Sequence, residues 1–214
     1  MEASIWTGTL AEFREKAGGT VPVPAGVTIS VITASLALAL LAKVLNITGK
    51  RKGFSGNPER LGALLDAARS ESTRLTHLAD EDIRAFNQYL ECMRRGQDET
   101  GWDQAGWDQA ITAAVRQAIE VPMNAARSAV RGLDLCAEAV GMVQGLTAAD
   151  LGIVAALLSG AVRAMLLSVD FNVREMRSDK PFSDAITAER RELEREAIRR
   201  DDAITSAVRP CGEP

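Results

Sequence analysis

The stretch GVTISVITASLALALLA, from Gly26 to Ala42, carries no charge and no strict alternation of polar and apolar residues. A helix built from it is apolar or small on every side, so it has no face that prefers water and must be wrapped by other elements. Its approach, Pro22-Val23-Pro24-Ala25-Gly26, holds two prolines that fix an extended entry and remove backbone donors just before the helix begins. Its exit, Asn46 to Lys52 (NITGKRK), places cations near the negative end of the helix dipole. A membrane span is the rival reading, because the run approaches the roughly 20 residues needed to cross a bilayer. Thr28, Ser30, Thr33 and Ser35 dilute the run and no aromatic belt flanks it, so a buried core helix is preferred and no membrane is expected.

Composition agrees with a helical reading. Of the 214 residues, 46% are hydrophobic but only 4% aromatic, so the core must be made largely of Ala, Leu, Val and Ile, which suits closely packed helices. Strand signals are almost absent. The expected fold is an all-α helical bundle with the small-residue helix at its centre, one domain over 1–208, and a disordered tail at 209–214. The net charge of −4 and a pI near 5.2 argue against nucleic acid as a partner, since phosphate contacts need clustered cations. Cys92, Cys136 and Cys211 are an odd set without close spacing, which fits a reducing compartment, and the N-terminal segment is acidic and amphipathic rather than a signal peptide. A cytoplasmic protein is expected. One histidine and scattered cysteines cannot supply a zinc set, and no Gly-rich phosphate loop or Ser-His-Asp arrangement is legible.

Outward from the central stretch, residues 7–16 read as a short helix with a Thr cap and Glu12, ended by Gly18-Gly19. Residues 50–57 read as loop, and a long helix runs from Pro58 or Glu59 to about Arg94. On it Leu61, Leu64, Leu65, Ala68, Leu75, Leu78, Asp82, Ala85, Phe86 and Tyr89 follow a 3–4 spacing, so one stripe faces inward. That stripe contains a carboxylate. If the phase is right, Asp82 lies among apolar neighbours that disfavour its charged form, and a raised pKa lets it give and take protons near neutrality. If the phase is off by one residue, Asp82 is solvated.

The tandem GWDQAGWDQA at 101–110 reads as a surface loop or capped helix start with Trp102 and Trp107 partly exposed, either a local duplication or a lid. Helices are expected at about 108–119 and 122–141, with Pro122 kinking a continuous helix or starting a new one. Thr147-Ala-Ala-Asp150 reads as an N-cap opening a second strongly apolar helix, in whose middle Arg163 needs a carboxylate or an anionic ligand. The last segment, Ser183 to Val208, is charged on most faces, with a thin stripe of Ile186, Leu193, Ala197, Ile198 and Ile204. Its charges read as a solvated outer face.

These residues line up in order with a known family. Pro22-Val23-Pro24-Ala25-Gly26-Val27 resembles the P-x-P-G-G-G turn of the cyclodeaminase/cyclohydrolase family, and Asn46-Ile47-Thr48 followed by Lys50, Arg51 and Lys52 resembles its N-L-T and basic loop. Asp82-Ile-Arg-Ala-Phe86, with Tyr89 following, resembles D-x-x-A-F, and Val121-Pro122-Met123 resembles V-P-L. Ala149-Asp150…Ser168-Val169-Asp170-Phe171-Asn172 resembles S-D-x-x-V…N-V-x-x-N. The match runs from about Thr20 to Arg177. The family includes the cyclodeaminase half of formiminotransferase-cyclodeaminase and the serine-cycle type methenyltetrahydrofolate cyclohydrolases.

The resemblance implies a helical homodimer, a tetrahydrofolate derivative as substrate, no tightly bound cofactor and no metal. It also implies chemistry at a one-carbon bridge between two folate nitrogens, through a tetrahedral carbon that needs a proton donor and acceptor. By the same resemblance Asp82 is the acid/base and Asp150 a positioning group, the two catalytic residues. Lys50, Arg51 and Lys52 meet the substrate's glutamate carboxylates. Pro24, Gly26, Val27, Phe86, Tyr89, Arg163, Ser168 and Asn172 complete the binding set. The departures remove polar, close-contact groups: Ala25 and Val27 replace glycines, Ser168 an asparagine, Ala149 a serine, and the loop glycine shifts to Gly49. They point to a narrower or more apolar pocket. Two alternatives therefore stand beside the folate enzyme: a relative recruited as a cyclase or pericyclase on an apolar molecule of specialised metabolism, and a non-catalytic helical dimer.

Overall fold

The computed structural model describes residues 4–97, 104–176 and 179–209; the expected tail beyond 209 and Trp102 lie outside them. Among the described residues there are six α-helices: α1 (Leu10–Ala17), α2 (Gly26–Lys50), α3 (Pro58–Gln97), α4 (Gln104–Ala139), α5 (Leu146–Glu175) and α6 (Lys180–Val208). No strand accompanies them; short 3-10 turns lie at Ile5–Thr7 and Val140–Met142.

The helix starts follow local chemistry. Thr9 and Glu12 close a capping box on α1. Asn57 Oδ1 accepts from the amides of Glu59 and Arg60 at 2.9 and 3.1 Å and seats Pro58 in the first turn of α3. Asp179 accepts from Phe182 N at 3.1 Å at the head of α6. The start of α5 differs from expectation. Gly145, at φ 58°, turns the chain so that Leu146 is already helical. Thr147 then lies inside the first turn and donates back to the carbonyl of Gln144 at 2.8 Å. Of the two alternatives at Pro122 the continuous helix is the one formed: α4 runs through with Pro122 in its interior.

α2, α3, α4 and α5 form a four-helix ring in which each packs against its chain neighbour and α2 closes against α5, while α6 lies outside across α5 and α4. The core is aliphatic: Val31, Leu38, Leu41, Leu75, Ile119, Leu133, Leu158 and Leu166 are fully buried. Gly132 of α4 marks the closest approach, since a Cβ there would lie 2.8 Å from Leu38 Cδ2 and 3.0 Å from Leu158 Cδ1. Trp107, in the first turn of α4, is half-buried and donates its indole N–H to the carbonyl of Cys92 at 3.1 Å, which ties the start of α4 to the end of α3. The 3-10 turn at Ile5–Thr7 is strapped to α3, with Ser4 Oγ and Ile5 N donating to Asp80 at 2.7 and 2.9 Å.

Two expectations about burial are corrected. The central stretch is not wrapped all round: Ile29, Leu36 and Ile47 are 40%, 54% and 44% exposed, and α5 likewise exposes Ile153, Leu157, Leu167 and Phe171. α2 and α5 are both long and apolar enough to cross a bilayer by length and composition, and about half of each is buried against other helices. Nor is α6 merely a solvated surface. Arg190 and Arg200 side chains are only 14% and 19% exposed and reach Asp170 of α5 and Asp134 of α4 at 2.8 and 2.6 Å. Arg127 of α4 grips both oxygens of Glu189 at 2.6 Å. These pairs clamp α6 to the ring, whereas Ile198 of its expected stripe faces out.

Candidate active site

The N-terminus of α2 has unpaired amides, and its cap position is Ala25, whose methyl group accepts nothing. The missing acceptor comes from α3. Asp82 Oδ2 accepts from the Thr28 hydroxyl at 2.6 Å, and the backbone N–H of Thr28 also bonds to this carboxyl. The inward phase of the α3 stripe is thereby settled: Asp82 stands between buried Leu78 and buried Ala85. Burial pushes the Asp82 carboxyl above its ordinary value of 3.8, and the two hydrogen bonds from Thr28 oppose this without cancelling it. A carboxyl at the positive end of a helix dipole, partly desolvated and held in one orientation, is placed to exchange a proton with a neighbour.

That neighbour is a cavity of about 410 Å³, within the range of small-molecule pockets. α2 contributes Ala25, Gly26, Val27 and Ser30; α3 contributes Asp82, Ala85 and Phe86; α4 contributes Ala118; α5 contributes Ala164, Leu167, Ser168, Phe171 and Asn172. Ala25 and Val27 line the cavity without filling it, and a Cβ at Gly26 would meet nothing within 4 Å. Its polar side chains are Asp82, Ser30, Ser168 and Asn172, set in an apolar wall.

Asn172 is held from behind. Pro122 has no N–H, so the carbonyl of Ala118 loses its partner within α4. Asn172 Nδ2 crosses from α5 and donates to that carbonyl at 2.8 Å, with Ser168 Oγ at 3.5 Å. The proline, an anomaly inside a helix, thus frees the acceptor that orients a cavity side chain.

Of the residues singled out in the sequence, Gly26, Val27, Asp82, Phe86, Ser168 and Asn172 meet in this cavity. Pro24 is buried directly before them, after a cis Val23–Pro24 peptide, and Tyr89 stacks on Phe86 with centroids 6.3 Å apart; neither lines the cavity. Others lie elsewhere in the chain. At about 1.5 Å rise per residue, Lys50 is about 36 Å from Gly26 along α2, so Lys50, Arg51 and Lys52 cannot form the mouth of this cavity within one chain. Asp150 is likewise about 33 Å from Asn172 along α5. Arg163, read as needing a carboxylate or an anionic ligand, is exposed and makes no ion pair among the described residues, and it does not line the cavity. Thr28, Ala118, Leu167 and Phe171 were not singled out. For Thr28 the sequence carries a signal, a hydroxyl in the first turn of a helix that lacks a capping side chain. Among the described residues no group of three or more His, Cys, Asp or Glu is placed to hold a metal ion.

Known proteins share this architecture. The chain is 27% identical over 184 residues to formimidoyltransferase-cyclodeaminase of Sus scrofa, a match that covers 83% of this chain and 33% of that protein. The chain therefore spans about a third of the length of that relative. The crystal structure of formiminotetrahydrofolate cyclodeaminase from Thermotoga maritima superposes with a TM-score of 0.78 at 19% identity, covering 95% of both chains, which shows a shared fold. The profile of the formiminotransferase-cyclodeaminase family matches residues 9–192, all four helices of the ring and the first part of α6, and the chain belongs to that family.

Proposed function

We propose that this protein is an enzyme of folate chemistry that makes or breaks a C–N bond at the one-carbon bridge of tetrahydrofolate, with Asp82 as its acid and base. The observation that carries this reading is the half-buried Asp82 carboxyl facing the cavity, raised by burial and oriented by Thr28. In the cyclodeaminase direction the second folate nitrogen, outside the pterin ring, adds to the carbon of the protonated formimino group and a C–N bond forms. The tetrahedral centre then expels ammonia once the departing nitrogen has taken the proton of Asp82. The carboxylate left behind takes the proton released by the attacking nitrogen, so the group ends as it began. Phe86 and Phe171 offer apolar faces to a flat heterocycle, and Ser168 and Asn172 offer hydrogen bonds to its edge. The reading needs no tightly bound cofactor and no nucleic acid, and it includes a cytoplasmic homodimer.

Titration with tetrahydrofolate tests it. Saturable binding by the wild type, together with conversion of a formimino or methenyl derivative that is lost in Asp82→Asn, is expected. Absence of binding, or full turnover by Asp82→Asn, refutes the reading.

A further inference from the structure

The Asn172 amide has one end that donates and one that only accepts. Nδ2 donates to the Ala118 carbonyl at 2.8 Å and makes a longer contact with Ser168 Oγ at 3.5 Å. Because a carbonyl can bond only to a donor, the amide is held with its amino end towards α4. Oδ1 takes no hydrogen bond from the chain among the described residues and is not sealed from solvent, so it is left to the occupant of the cavity that Asn172 lines. This polarity is imposed by a residue outside the cavity. In an unbroken helix the amide of position 122 would serve the Ala118 carbonyl, and the Asn172 amide would be free to turn either end inwards. Pro122 is buried in the interior of α4, has no N–H and does not line the cavity.

We propose that Pro122 is a positioning residue for this cavity: it commits the amino group of Asn172 to the Ala118 carbonyl and so fixes Asn172 Oδ1 as a hydrogen-bond acceptor that reads an N–H donor on the ligand. A ligand that presents an acceptor at this place is rejected, because two acceptors then face each other without a proton between them. Under the folate reading the donor is an N–H or amino group of the substrate's heterocycle. The orientation of Asn172 does not depend on that reading. The device gives stability and binding opposite signs. Proline in a helix interior destabilises the helix, so Pro122→Ala restores a backbone hydrogen bond to the fold while it releases the amide that the ligand needs. A proline that served only the packing of α4 would leave ligand binding alone or lower it together with stability.

Nuclear magnetic resonance of isotope-labelled protein reads the amide directly, with the Asn172 signals assigned by their loss in Asn172→Ser. The side-chain amino protons should exchange slowly with water in the wild type and about tenfold faster in Pro122→Ala, in which the Ala118 carbonyl no longer needs them. Urea unfolding should show the variant at least as stable as the wild type. If the smaller side chain leaves a void that unfolds it, Pro122→Val also restores the N–H and keeps more of the buried volume. Titration with tetrahydrofolate should show Kd raised about three- to tenfold, and turnover of a formimino or methenyl derivative should show the same rise in KM with kcat little changed. Equal protection of the amide in both proteins, or unchanged Kd and KM in the variant, overturns the proposal. Protection that Pro122→Ala removes, in a protein that neither binds nor converts folate, retires the folate reading and keeps the orientation of Asn172. Folate turnover by a wild type whose amide is unprotected keeps the folate reading and removes the role of Pro122.

Discussion

Replacing Asn172 by alanine removes the side-chain donor that serves the Ala118 carbonyl, at 2.8 Å, and Pro122 has no N–H to take its place. Leaving a buried carbonyl unsatisfied costs about 1–3 kcal/mol, and because Ala118 is half-buried and borders a cavity that water can enter, the lower part of that range, about 1–1.5 kcal/mol, is expected. At this chain length that corresponds to a fall in Tm of roughly 2–6 °C. Pro122→Ala supplies the missing N–H from within α4, so in that background Asn172→Ala should cost almost nothing. Urea unfolding of the wild type, the two single variants and the double variant at one protein concentration measures the coupling, expected at about 1 kcal/mol. Equal losses from Asn172→Ala in both backgrounds would show that the Ala118 carbonyl does not depend on this side chain, and the account of Pro122 would fall.

Two further outcomes follow from the charged groups. A carboxyl whose pKa is raised on folding binds its proton more tightly folded than unfolded, so Asp82 favours the fold most below its unfolded value of 3.8 and costs stability as pH rises through the higher folded value. Asp82→Asn, which still accepts from Thr28, should be at least as heat-stable as the wild type at neutral pH, with the difference shrinking in acid; a variant markedly less stable at neutral pH would refute this. Glu71 is the opposite case. Burial pushes it up, but Arg131 at 2.6 Å and the Ser128 hydroxyl more than offset that and hold it below 4.5, so its contribution is present above the unfolded value and lost as pH falls through the lower folded one. With its side chain 18% exposed, Glu71→Gln should cost about 1–3 kcal/mol at neutral pH, less than the loss of a fully buried pair, and much less in acid. Equal losses at both pH values would argue against an ionic role.

Much of the fold was legible along the chain because it depends on short-range patterning. The apolar run from Gly26, the stripe from Leu61 to Tyr89 and the Thr9–Glu12 cap are set by helical spacing and local hydrogen bonds, and helix order and type follow from them. The same spacing put Asp82 on the inward stripe or one residue off it, and only the packed helices decided between the two. Its partner Thr28, the cavity, and the link from Pro122 through Ala118 to Asn172 depend on which helices become neighbours, and that follows from the ring of packed faces. Lys50 and Asp150 are named by resemblance and Arg163 as a charge within an apolar run; order along the chain carries no information about distance, and α2 and α5 hold the first two more than about 30 Å from the cavity within one chain. An apolar surface all round α2 was evident from composition, yet which half meets its own chain and which is left uncovered was decided only when α3 and α5 closed over one side.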